Sequence, residues 1–119
     1  MSAIQVQLNQ HLMDWDKIIN AYRTAVKKQA QTEADYKHQR AVFIATHRAE
    51  DAKLTQSAAE TLADADDDLH QLRVARLGYD AEVEAFKSKL QWCRAKSDAL
   101  RSEKVDERES AKLYAENAM

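Results

Sequence analysis

Apolar residues recur along the first half of the chain at alternating steps of four and three: Leu8, Leu12, Trp15, Ile19, Tyr22 and Val26. This is the a/d repeat of a helix that buries one narrow stripe against a second helix. With Leu12 as an a position, the register continues through Gln29, Glu33, Tyr36, Arg40, Phe43, His47 and Glu50 to Leu54. It is apolar at both ends and polar in the middle. The second half is more regular: Leu62, Ala65, Leu69, Leu72, Arg76, Tyr79, Val83, Phe86, Leu90, Cys93, Ser97 and Leu100 keep the alternation. Beyond Leu100 it weakens through Lys104, Glu107, Ala111 and Tyr114. Gly78 lies inside this run and costs about 1 kcal/mol against Ala. The pattern on both sides of it nonetheless predicts an unbroken helix.

The two registers are out of phase by one residue between Leu54 and Leu62, which a single straight coiled coil does not accommodate and a reversal does. Thr55 and Ser57 are good N-cap residues, and Ser57 with Glu60 has the spacing of a capping box. The chain is therefore expected to be all-α, a long antiparallel helical hairpin with a turn near residue 56. It is read as one domain, arm one about 3–54 and arm two about 57–116. Each arm, if straight, extends about 75 Å. A turn at 56 pairs Leu12 with Leu100, Trp15 with Ser97, Ile19 with Cys93, Tyr22 with Leu90, Val26 with Phe86, Tyr36 with Arg76, Arg40 with Leu72 and Phe43 with Leu69. The heptad also permits a register one step either way, with turns near 52 or 60. The competing topology is a three-helix bundle with an extra bend in the polar stretch Gln29–Glu33.

Composition narrows the class. Charged residues make up 32% of the 119, aromatics only 7%, and there is one Gly and no Pro. That favours long exposed helices around a narrow seam over a thick core. The net charge of −2 and a pI near 6.1 give no global pull towards nucleic acid or an anionic membrane. With Cys93 the sole cysteine, the fold needs no internal disulfide and no oxidising compartment. No apolar run approaches the ~18 residues of a membrane span. The first residues lack a basic segment followed by an apolar one, so no signal peptide is read there. A cytoplasmic protein is expected.

The flanks of the seam differ. On the g side the first arm shows Ile18, Ala25 and Thr32 and the second arm Ala75, small or apolar enough to admit a second hairpin. This is the candidate oligomer flank, and a homodimer forming a four-helix bundle is expected. On the e side the second arm shows Arg73, Asp80, Lys87, Arg94, Arg101 and Arg108, with Arg23 and Lys37 of the first arm alongside. These seven cations are the candidate basic partner-binding flank.

Sites for chemistry are sparse. Asp64, Asp66, Asp67, Asp68 and His70 lack the Gly and distal Glu of a calcium loop and fan around a helix, so they read as acids at a helix N-terminus. His11, His38, His47 and His70 have neither the His-x-x-x-His nor the Glu-x-x-His spacing of helical metal sites. With one Gly there is no phosphate-cradling loop. No catalytic residue, metal or cofactor is assigned, and an enzyme is not expected. The segment Trp92-Cys-Arg-Ala-Lys-Ser-Asp-Ala-Leu-Arg-Ser102 resembles the small coiled-coil accessory proteins of bacteriophages and prophages. That resemblance implies an accessory role in DNA metabolism or the inhibition of a host system. The reading that results is a non-enzymatic coiled-coil protein that oligomerises and binds a protein partner. The alternative is a nucleic-acid-binding accessory in recombination or replication, working through the basic flank. The near-neutral charge and the expected lack of an exposed aromatic platform count against it.

Overall fold

The structure is a computed structural model and describes residues 2–118. It is all-α, with α1 (Ala3–Glu50), α2 (Gln56–Ala65) and α3 (Asp67–Ala118). Contacts between the arms run in opposite directions along the sequence: Gln5 with Lys104, His11 with Cys93, Gln29 with Asp80 and Arg40 with Asp64. The chain is an antiparallel helical hairpin. It divides into two compact units, each holding a piece of both arms. We call them the terminal unit (up to Tyr22 and from Ala85 onward) and the reversal unit (Arg23–Glu84).

The reversal needs neither Gly nor Pro, and no residue in it has a positive φ. α1 ends where the Asp51 carboxylate turns back to accept from Lys53 N at 3.0 Å and the Asp51 carbonyl accepts from Leu54 N at 3.1 Å. An Asp side chain that mimics a backbone turn supplies what glycine usually does. Thr55 then caps α2, its Oγ1 accepting from Ala58 N at 3.1 Å. Ser57, the other expected cap, lies within the first turn of α2.

Arm two is interrupted and arm one is not. The polar stretch Gln29–Glu33 stays helical, held in part by Gln29 Nε2 donating to Asp80 Oδ1 at 2.8 Å. The break falls at Asp66, which closes one helix and opens the next. Its N–H donates to Ala63 O at 3.2 Å, and its carboxylate accepts from Leu69 N at 3.0 Å. Asp67 and Asp68 occupy the first turn of α3, where the helix dipole favours negative charge. The acidic run is thus a helix start, but of α3, ten residues beyond the start expected. Gly78 sits inside unbroken α3 as expected.

The seam of arm two matches the sequence pattern from Leu69 onward: Leu69, Val83, Cys93, Ser97 and Leu100 are all buried. Leu62, expected in the seam, is 44% exposed; Ala59 and Ala63 are buried in its place, because the break at Asp66 resets the helical phase. In arm one alternate seam positions shift by one residue. Leu8 is buried and Trp15 half-buried as expected, but His11 is buried while Leu12 is 39% exposed, and Ala25 is buried at 2%. The cross-arm contacts shift in the same sense. Cys93 meets His11 where Ile19 was expected, and Gln5 with Lys104 and Gln29 with Asp80 fall about one helical turn from the drawn register. This moves the reversal from residue 56 towards the turn near 52, into 51–55. Arg76 keeps its expected partner, its guanidinium lying 5.6 Å from the Tyr36 ring.

Candidate interaction site

The burial pattern rearranges the two flanks. Ala25 has no surface to offer a second copy, since it lies in the seam between the arms. Ile18 and Thr32 are half-buried, and the Thr32 hydroxyl donates to Lys28 O at 2.6 Å. Only Ala75 of the four is exposed. The first-arm part of the expected oligomer flank therefore turns towards the hairpin's own seam, and Ala75 does not. The reason is the one-residue shift in arm one: positions assigned to g are d positions, and they face inward.

The basic flank is also redistributed. On α3, Lys87, Arg94, Arg101 and Arg108 are exposed, and Arg73 is half-buried with its Nη2 donating to His70 Nδ1 at 3.1 Å. Asp80 interrupts the row and is engaged by Gln29. On α1, Arg23 and Lys37 are exposed, and Lys37 pairs with Glu33 at 3.0 Å one turn away. In the shifted register Arg23 leaves the e side.

A different set of cations is gathered. An open groove of about 910 Å³ runs along the reversal unit. Lys37, Arg40, Arg48 and Arg76 line it, with Asp64 the only carboxylate. Its floor is Ala41, Ala45, Ala49 and Ala52 with Ile44 and Leu54. Ala41, Ala45 and Ala49, at intervals of four, bring one smooth face of α1 to the surface, and Ala52 follows in the turn. The guanidiniums are held in place. Arg48 Nη1 donates to Gln56 Oε1 at 2.8 Å and its Nε to Leu54 O at 3.4 Å, clasping the end of α1 to the start of α2. Arg40 reaches Asp64 at 3.5 Å, a long and partly exposed pair that contributes little stability. Arg76 lies over Tyr36, its guanidinium 5.6 Å from the ring centroid, an arrangement that favours a cation. A second hollow of the same unit has the opposite sign. Asp35, Asp66 and Asp68 line it around Val42, Phe43, Leu69 and Leu72. Phe43 and Leu69, an expected pair, thus share one hollow.

In the terminal unit the seam encloses a polar centre. His11 Nε2 donates to Cys93 O at 2.7 Å; because a carbonyl only accepts, Nε2 carries the proton. The ring lies between Trp15 and Trp92, with centroids 5.9 and 6.1 Å away. Trp92 meets it edge-on and is itself 59% exposed, with Lys96 Nζ 5.0 Å from the indole centroid. Trp92, which the 4-3 repeat leaves outside the seam, is thus an exposed aromatic, against the expected lack of an exposed aromatic platform. Among the described residues, no three metal-ligating side chains come together and no helix is long and apolar enough to cross a membrane.

Sequence reasoning placed Arg40 and Arg76 in the seam as snorkelling stems and passed over Arg48. The signal available was Ala41, Ala45 and Ala49 at intervals of four, bordered by arginines at 40 and 48. Compared with family models, curated proteins and solved structures, the chain matches none.

Proposed function

We propose that this chain is a non-enzymatic, cytoplasmic interaction protein that binds an acidic segment of a partner protein in the groove of its reversal unit. The observation that carries the reading is the gathering of Lys37, Arg40, Arg48 and Arg76 around an alanine floor that holds a single carboxylate. Guanidiniums pair bidentately with carboxylates. The flat floor lets a second helix approach closely, at about 8–10 Å between axes. The acidic hollow of the same unit repels the same ligand, which gives the interaction a side as well as a sign. The bacteriophage resemblance of Trp92–Ser102 is consistent with an accessory that works by occupying a host protein, although it assigns no residue of the groove.

The test uses a fluorescent helical peptide with glutamates on one face and leucines on the other. Binding is expected at low salt, weakening as salt rises. Arg40→Ala with Arg48→Ala is expected to weaken it at least tenfold, with helicity unchanged. If the double variant binds the peptide as the native chain does, the groove is not the site.

A further inference from the structure

The α3 stretch from Lys87 to Arg101 carries a separate surface, in the terminal unit, whose chemistry differs from that of the groove. It holds five basic residues (Lys87, Lys89, Arg94, Lys96 and Arg101) against one acidic residue, Asp98. All five are exposed. Trp92 is 59% exposed and the only large apolar side chain of this stretch that reaches solvent to such a degree; Lys89 and Lys96 share its side of α3, and Lys87, Arg94 and Arg101 take the opposite side. An apolar protein interface clusters several such residues. An exposed indole with a lysine one turn to either side of it on the same helix face, Lys89 and Lys96, instead has the composition of a stacking platform.

We propose that this stretch binds single-stranded nucleic acid, with a base stacked on Trp92 and the adjoining phosphates held by Lys89 and Lys96. The indole is positioned for this. The His11 ring meets it edge-on at an interplanar angle of 86° and is itself fixed by its bond to Cys93 O, so the platform is braced from the seam. Lys96 already stands over the ring, 5.0 Å from its centroid. A base that takes that face displaces the ammonium only as far as the neighbouring phosphate. Lys89 lies one turn before Trp92 and Lys96 one turn after it. The two residues are therefore about 10 Å apart along the helix, one to either side of the ring, with Lys89 Nζ resting 5.6 Å from the Phe86 centroid until a phosphate draws it forward. Arg94 and Arg101, on the far side of the helix, add only to the general positive field. The chemistry selects a single strand, because the bases of a duplex have no free face to offer the indole. This inference does not rest on the groove, and its failure leaves the groove reading untouched.

The experiment titrates the full chain with a fifteen-nucleotide oligothymidine at 50 mM salt, following labelled-strand anisotropy and tryptophan fluorescence. Binding with quenched indole emission is expected, falling steeply between 50 and 200 mM salt. Trp92→Ala is expected to weaken binding about tenfold or more, and Trp92→Phe to restore most of it. Lys89→Ala with Lys96→Ala is expected to weaken binding and to flatten the salt slope. Circular dichroism checks that each variant keeps its helix, as substitution of exposed residues should allow. Three outcomes overturn the proposal: no binding at 50 mM salt, binding by Trp92→Ala equal to that of the native chain, or a duplex bound as tightly as the single strand. The last would leave only a general phosphate affinity.

Discussion

In the reversal unit, the residues that vanish from solvent are mostly small. Ala25, Ala59 and Ala63 are 2% exposed or less, beside Leu69 and Val83. In the terminal unit, Leu8 and Leu100 are buried together with His11, Cys93 and Ser97. Alanine brings helix backbones close but fills little volume, so the larger side chains of the reversal unit, Tyr36, Phe43 and Leu72, remain half-buried. Arg76 covers Tyr36, and His47 stacks on Phe43 at 4.0 Å. Hollows open beside these partly covered rings. The terminal unit sets Leu8, His11 and Leu100 beside the small Cys93 and Ser97 in its seam, and hydrogen-bonds the His11 ring to backbone. One unit carries open hollows; the other exposes Trp92 on the face of α3. Close packing of small residues, as much as the charges themselves, makes the groove.

The largest expected effect comes from disturbing that close packing. Ala25→Leu adds three carbons where 2% of the residue is exposed, and overpacking of this kind costs about 1–3 kcal/mol. Chemical denaturation should show the loss, independent of protein concentration. Ala99→Leu, on the exposed side of α3, should change stability by no more than about 0.5 kcal/mol. A loss at Ala25 that appears only as weakened self-association would return it to an outer flank.

The reversal itself gives a smaller, more local test of the same unit. Thr55 Oγ1 caps α2, whereas Ser57 lies inside it. Thr55→Ala should cost about 1 kcal/mol, and Ser57→Ala should leave thermal unfolding almost unmoved. Equal losses at both would mean that the two hydroxyls share the cap.

The difference between these two residues shows where sequence reasoning stops. The hairpin was legible because α3 keeps its 4-3 repeat from Leu69 to Leu100 with few polar intrusions, and because the phase slip required a reversal. The register of arm one was not. Leu12 and His11 are neighbours, and hydropathy chooses leucine. The structure buries the histidine because the Cys93 carbonyl on the facing helix gives its ring a partner, and a satisfied polar group tolerates burial. That partner is 82 residues away, beyond any local pattern. The same slip moved Ala25 from flank to seam. The break at Asp66 was hidden for a different reason: an acidic run reads equally well as the start of one helix or of the next. The groove cations were visible singly, but their gathering depended on the corrected register. The exposure of Trp92 was legible, since the residue falls outside the 4-3 repeat of α3.

The smallest effect probes the polar centre of the terminal unit. Ser97 Oγ is buried, with the residue 1% exposed, and has no hydrogen-bond partner. Its local acceptor is the carbonyl four residues back, which belongs to Cys93. A carbonyl has two lone pairs. One takes the Ser97 N–H of the helix ladder, and the other takes His11 Nε2. The hydroxyl is thus excluded by the histidine. Removing it should help: Ser97→Ala is expected to stabilise the chain by up to about 1 kcal/mol, since an unpaired buried hydroxyl carries its full desolvation cost. In a His11→Leu background the lone pair on Cys93 O is free and Ser97 Oγ can donate to it. There Ser97→Ala should stabilise nothing, or should destabilise slightly. Denaturation of the four proteins completes the cycle. If Ser97→Ala gives the same gain with and without His11, the two side chains do not compete for Cys93 O, and the polar centre is held together in some other way.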